Sequence, residues 1–204
     1  MFAGDMLFYG QWGSGADAVS GSLAVVSRMG PERLMLGGFM SILGGLGYVA
    51  GAAHVYRRME AVPPLLRWGI SAGFLSVAVI STATHAVWGS FALAVAGGAT
   101  QGMMLAHGLV IWNYLSLHFL IGGVVAVPTC LLLLGVILRR RTDWPLYFAV
   151  VNPGLIYLVL SKASFLPAPI GAAVVGGGFN LAFVLFYGLS LLSGARPTGA
   201  VKSG

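Results

Sequence analysis

WGISAGFLSVAVISTATHAVWGSFALAVAGGATQGMMLAHGLVIWNYLSLHFLIGGVVAVPTCLLLLGVIL, residues Trp68–Leu138, contains no Asp, Glu, Lys or Arg. A helix crossing a bilayer needs about 20 predominantly apolar residues, so this stretch is long enough for two crossings. The break falls near AGGATQG (Ala96–Gly102), where small and polar residues cluster. The rest of the chain continues the pattern. Of its 204 residues, 58% are hydrophobic and only 8% charged, against about 25% charged in soluble domains. A soluble fold of this size lacks the polar surface to cover such a composition, and the expected class is an all-α polytopic membrane protein.

Working outward, Leu34–Val55 supplies a span that stops at Tyr56, Arg57 and Arg58, and Trp144–Ser161 and Ile170–Leu192 supply two more. SFLPAPIG (Ser164–Gly171) between them is rich in Pro and Gly and reads as a turn. The expected architecture is one integral membrane domain over 1–204 with five spans, at approximately 34–55, 68–95, 113–138, 144–161 and 170–192. Met103–Leu138 is long for a single upright helix, which makes Met103–Trp112 a candidate interfacial or re-entrant segment. MFAGDMLFYG at the start resembles the tail of a helix, which allows a sixth, truncated span.

The net charge of +6 does not point to nucleic acid, because the basic residues sit in short clusters beside apolar runs. Arg57, Arg58 and Arg67, then Arg139–Arg141, then Arg196 and Lys202 fall on alternate connections of the five-span threading. The positive-inside rule then places the N-terminus outside and the C-terminus in the cytoplasm. Arg28 and Arg33 lie on the opposite side and strain that scheme. Trp68 and Trp144 are expected in the interfacial aromatic belt. The one cysteine, Cys130, excludes an intramolecular disulfide and any CxxC metal site. The first residues lack a basic n-region and are expected not to be a cleaved signal peptide.

GGLGYVAG (Gly44–Gly51) has a superficial dinucleotide-type glycine pattern, but that fingerprint needs a preceding strand. Inside a span, Gly47-xxx-Gly51 reads as a close helix-packing motif. VVGGGFN (Val174–Asn180) reads as a similar contact or a kink. There is no P-loop, GxSxG or HExxH motif, and Lys162 reads as a snorkelling residue at a helix end.

Ionisable and polar groups at membrane depth are costly and point to function by default. His85 lies in the outer part of the second span beside Ser81, Thr82, Thr84 and Trp88, and His118 lies at about the same height on the third. Asn152 and Asn180 fall near the midplane of the last two spans. Together these residues are expected to line a cavity opening towards the outer leaflet. That pocket is expected to bind a small apolar or lipid-like molecule bearing one polar group. Chemistry on such a molecule would use His85 as acid or base and His118 as its helper. Asn152, Asn180, Trp88 and His54 would contact the ligand, although His54 stands apart near the cytoplasmic end of the first span. The bland alternative is that each polar residue only hydrogen-bonds a neighbouring helix.

Two other chemistries fit the histidines: a b-type haem held between His85 and His118, or a metal such as zinc on His85, His107 and His118, with no carboxylate to help. Neither spacing is specific, and the cofactor stays open. A further class is a structural or partner-binding subunit, homo- or hetero-oligomeric, packing through the glycine-rich first span. Proton-driven pumps and transporters commonly use intramembrane carboxylates; only Asp5 offers one, in a segment of uncertain depth.

AGDMLFYGQWGSG (Ala3–Gly15), HVYRR (His54–Arg58), THAVWG (Thr84–Gly89), VNPG (Val151–Gly154) and LPAPIGAAVVGGGFN (Leu166–Asn180) together resemble a bacterial family of small multi-spanning membrane proteins, known as a domain of unknown function. The resemblance covers most of the chain. It implies a membrane topology with a fuller first helix before Gly4 and Asp5, and it draws interest to Asp5, His54, His85, Asn152 and Asn180. It implies no activity.

Overall fold

The computed structural model describes residues 1–9, 29–96, 101–167 and 170–194, and seven α-helices lie among them. They are α1 (Phe2–Tyr9), α2 (Pro31–Arg57), α3 (Pro64–Ala96), α4 (Gln101–Leu138), α5 (Pro153–Leu160), α6 (Ile170–Gly176) and α7 (Gly178–Leu192), and no strand occurs among the described residues. Among the described residues, three helices are long and apolar enough to cross a membrane: Pro31–Arg57, Pro64–Ala94 within α3, and Ser116–Leu138 within α4. The other helices among the described residues, α1, α5, α6 and α7, are shorter. Residues 97–100, Arg28, Arg196 and Lys202 lie outside the described residues.

The α2 helix starts at Pro31, whose missing N–H costs nothing at the first helical position. Its buried stripe runs Leu34, Gly37, Ser41, Gly45, Tyr48, Ala52 and Val55, steps of three and four that keep one face inward. The opposite face leaves Leu36, Phe39, Ile42 and Leu46 exposed. Exposed apolar faces this extensive belong against lipid rather than water.

Small residues set the helix contacts, though not at the expected pair. A Cβ at Gly47 would meet nothing within 4 Å, whereas one at Gly51 would lie 2.5 Å from the Tyr187 ring. The close approaches are Gly37 and Ser41 against α1, Gly45 against Thr82 of α3, and Gly73 of α3 against Thr129 of α4.

Two expected spans are interrupted. Residues 144–161 form a 3-10 turn at Leu146–Ala149, a break at Asn152, and then the 8-residue α5. Pro153 has no N–H to donate and disfavours helical backbone at the residue before it. Asn152 adopts φ −56° and ψ 132° and caps α5 by accepting from the Gly154 N–H at 3.0 Å. The last span is split at Gly177 into α6 and α7, so VVGGGFN is a kink; a Cβ at Gly177 would come within 2.8 Å of the Phe2 ring. In the other direction, Gln101–Leu138 is one continuous 38-residue helix, so the backbone of 103–112 is not a separate re-entrant segment.

Aromatic packing fills one end of the bundle, where Phe74, Phe148, Phe183 and Phe186 form a buried cluster with Tyr48 and Trp144. Trp144 is 3% exposed and donates from Nε1 to Ser190 Oγ at 2.6 Å, so it belongs to this core and not to an interfacial belt. Trp68, 61% exposed, does face outward, with its ring 4.6 Å from Tyr56. The α2–α3 connection and the segment after α4 meet at this end through the Asp143 N–H on the Arg58 carbonyl at 3.1 Å. Arg58 also donates to Ser193 Oγ at 2.9 Å and to the Gly194 carbonyl. The basic residues Arg57, Arg58, Arg67 and Arg139–Arg141 thus share one end of the molecule.

Candidate functional site

The site begins with α1. Gly4 lets this short helix sit against the Gly37 carbonyl and the Ser41 side chain of α2. Arg33 donates from Nε to the Leu7 carbonyl at 2.9 Å and from Nη2 to the Met6 carbonyl at 3.2 Å. These are last-turn carbonyls that α1 itself cannot satisfy. Arg33, awkward for the charge rule, therefore helps hold α1 in place. The result is that Asp5 enters the bundle and is only 3% exposed.

Asp5 meets two of the sequence-selected residues there. Its Oδ1 lies 2.7 Å from His85 Nε2, and its Oδ2 accepts from Asn180 Nδ2 at 2.7 Å. Asn180 Oδ1 in turn accepts from the Tyr48 hydroxyl at 2.7 Å. On the far side of the imidazole, His85 Nδ1 donates to the Ser81 carbonyl at 2.7 Å, one turn back on α3. Helices α1, α2, α3 and α7 are thereby joined by one hydrogen-bonded chain.

The donor inventory defines the proton content of this chain. A carbonyl only accepts, so His85 Nδ1 carries a hydrogen. Nε2 faces a carboxyl oxygen, so one proton lies between Asp5 Oδ1 and His85 Nε2. Whether drawn as imidazolium with carboxylate or imidazole with carboxylic acid, the pair has no net charge. That neutrality is what makes a buried Asp tolerable in an apolar bundle.

A cavity of about 380 Å³ adjoins the pair, and its lining is predominantly apolar. Its lining includes His85, Asp5, Asn180, Trp88 and His118. Gly122 and Gly123 of α4 form a wall without side chains, and Phe119, Tyr157 and Phe179 supply aromatic surface. His118 Nδ1 donates to the Tyr114 carbonyl at 2.9 Å, leaving Nε2 without a hydrogen-bond partner among the described residues. In this tautomer Nε2 is an acceptor.

The cavity thus gathers His85, His118, Trp88 and Asn180. It does not gather the other two selected residues. Asn152, 1% exposed, donates from Nδ2 to the Cys130 carbonyl at 3.0 Å and caps α5, and is not part of the lining. His54 sits at the basic end, with Nε2 2.7 Å from Ser190 Oγ, the same hydroxyl that accepts from Trp144. His107 lies outside the described side chains. Among the described residues no group of three His, Cys, Asp or Glu side chains is arranged to hold a metal.

Sequence reasoning under-used Asp5 and missed Tyr48. The signal for Asp5 was an acidic residue inside the otherwise uncharged FAGDMLFY. Its significance depended on whether that segment was buried. Tyr48 carried no signal beyond its place on the α2 stripe. No known family model, curated protein or solved structure matches this chain. The reading of the site therefore rests on its geometry.

Proposed function

We propose that this chain is an integral membrane protein that binds a small lipid-like molecule in the cavity beside Asp5 and His85. The observation that carries the reading is the meeting of His85, His118, Trp88 and Asn180 around one cavity. A volume of about 380 Å³ falls within the range of ligand sites, about 300–1,000 Å³. A mostly apolar wall with a few converging polar groups is the composition such sites have. The basic end faces the cytoplasm in this reading, which puts the cavity towards the other leaflet.

Chemistry on the ligand would fall to His118 rather than His85. Both nitrogens of His85 are engaged, whereas His118 Nε2 is an open acceptor able to take a proton from a ligand hydroxyl. The haem alternative receives less support from the same geometry. Axial ligation needs a free imidazole nitrogen on each side, and His85 Nε2 is directed at Asp5.

Gly123→Leu provides the test. Gly123 lines the cavity and a Cβ there meets nothing within 4 Å, so the backbone accepts a side chain at this wall, and replacing a helical Gly adds intrinsic helix stability. Native mass spectrometry of the detergent-purified protein is expected to show a co-purifying apolar adduct that Gly123→Leu loses. An adduct retained in a folded Gly123→Leu protein, or none in either protein after reconstitution with host lipids, would overturn the reading.

A further inference from the structure

The hydrogen bonds within the site restrict which head group it can accept. His85 Nδ1–H is committed to the Ser81 carbonyl, and the proton on the other side of the ring is shared with Asp5. One Asn180 amide hydrogen goes to Asp5 Oδ2, and the Tyr48 hydroxyl hydrogen goes to Asn180. The Thr84 hydroxyl donates to the Ile80 carbonyl of its own helix at 2.8 Å. Asn180 Nδ2 also lies 3.4 Å from His85 Nε2, so these donors are turned towards one another, while acceptor capacity remains on the Asp5 carboxyl oxygens and on His118 Nε2. Ser81 and Tyr157 add hydroxyls to the lining, and a hydroxyl both donates and accepts.

We infer that the ligand is a neutral long-chain alcohol, an inference that rests on the cavity being a ligand site. A hydroxyl head group would donate to His118 Nε2 or Asp5 and accept from the Ser81 or Tyr157 hydroxyl. Its hydrocarbon chain would lie along the side-chain-free surface of Gly122 and Gly123 and against Phe119 and Phe179. A carboxylate or phosphate brings only acceptors and a negative charge to a wall that already holds a carboxyl group. An ether or methyl ester of the same length fills the space but cannot donate, leaving the acceptor of His118 unmet.

The test compares three photoreactive probes on the full chain held in neutral-lipid nanodiscs. All carry the same long alkyl diazirine and end in a hydroxyl, a carboxylate or a methyl ether. Cross-linked residues are mapped by peptide mass spectrometry, and labelling is read on Phe119–Gly123. The alcohol is expected to label this segment on the order of tenfold more than the ether or the carboxylate at equal membrane concentration. That labelling is expected to vanish in Gly123→Leu and to fall about fivefold in His118→Phe.

Equal or stronger Gly123→Leu-sensitive labelling by the carboxylate or ether would overturn the alcohol assignment while leaving the cavity a ligand site. Labelling by no probe, or labelling indifferent to Gly123→Leu, would overturn both. The head-group comparison is made on the unmodified protein and does not depend on any variant folding.

Discussion

Replacing Asp5 by Leu and by Asn should have very different consequences. Leu has the branching of Asp but no hydrogen-bonding capacity, so water cannot simply take the place of the carboxyl group. Asp5→Leu removes both 2.7 Å contacts and strands the Asn180 Nδ2 hydrogen and the His85 Nε2 lone pair. Each stranded buried group costs about 1–3 kcal/mol, and breaking a buried charged pair costs about 3–5 kcal/mol. Hydrogen bonds between membrane helices average only about 0.6 kcal/mol, largely because the freed groups find new partners. Here the two freed groups already lie 3.4 Å apart, Asn180 Nδ2 from His85 Nε2, so they can pair with each other and recover part of the loss. That longer bond replaces two contacts of 2.7 Å, so a loss of about 2–3 kcal/mol is expected for Asp5→Leu.

Asp5→Asn can rebuild the whole chain. The new amide donates to His85 Nε2, its oxygen accepts from Asn180, and His85 stays in the tautomer that donates to Ser81. The expected loss is below about 1 kcal/mol. Thermal melts in mild detergent would read the difference, with Asp5→Leu lowered by roughly 4–12 °C and Asp5→Asn by less than about 4 °C, at about 2–4 °C per kcal/mol for a chain of this size. A melt of Asp5→Leu within about 2 °C of the unmodified protein would refute the burial of this cluster. Equal losses for Leu and Asn would refute the hydrogen-bond exchange and show that the charge itself is required.

Other consequences follow from the packing. Asn152→Ala removes the α5 cap and the bond to the Cys130 carbonyl; it should cost about 1–2 kcal/mol in the same melts while leaving the ligand adduct unchanged. Gly73→Val forces a side chain into Thr129 across the α3–α4 contact and should cost about 1–3 kcal/mol, in contrast to Gly123→Leu on the open face. Cys130 is buried, so an exposed Arg139→Cys should be the residue that an impermeant maleimide modifies. Modification is expected from the cytoplasmic side only, and labelling of intact cells would reverse the orientation.

Much of the site was legible because burial leaves a mark on composition. His85, His118, Trp88 and Asn180 stand out as polar or aromatic residues within uncharged runs, and the bundle brings all four to one cavity. Asn152 carries the same mark for a different reason: it stops a helix ahead of Pro153, and a cap and a ligand contact look alike in sequence. His54 satisfies Ser190 at the basic end, again a polar residue at depth with a local partner.

The sequence by itself determined that this is an apolar helical protein with its basic residues grouped beside the helix ends. Hydropathy and charge act over one or two helical turns, so neighbouring residues suffice to express them. Only the tertiary structure decided that α1 is inside, that α5 and α7 follow breaks at Asn152 and Gly177, and that Asp5 completes the site. Asp5 is 80 residues from His85 and 175 from Asn180 in the chain. Its depth is set by how closely Gly4 approaches α2 and by the Arg33 contacts to α1. No local pattern encodes such a pairing, because its stability arises only when separate helices close around the same proton.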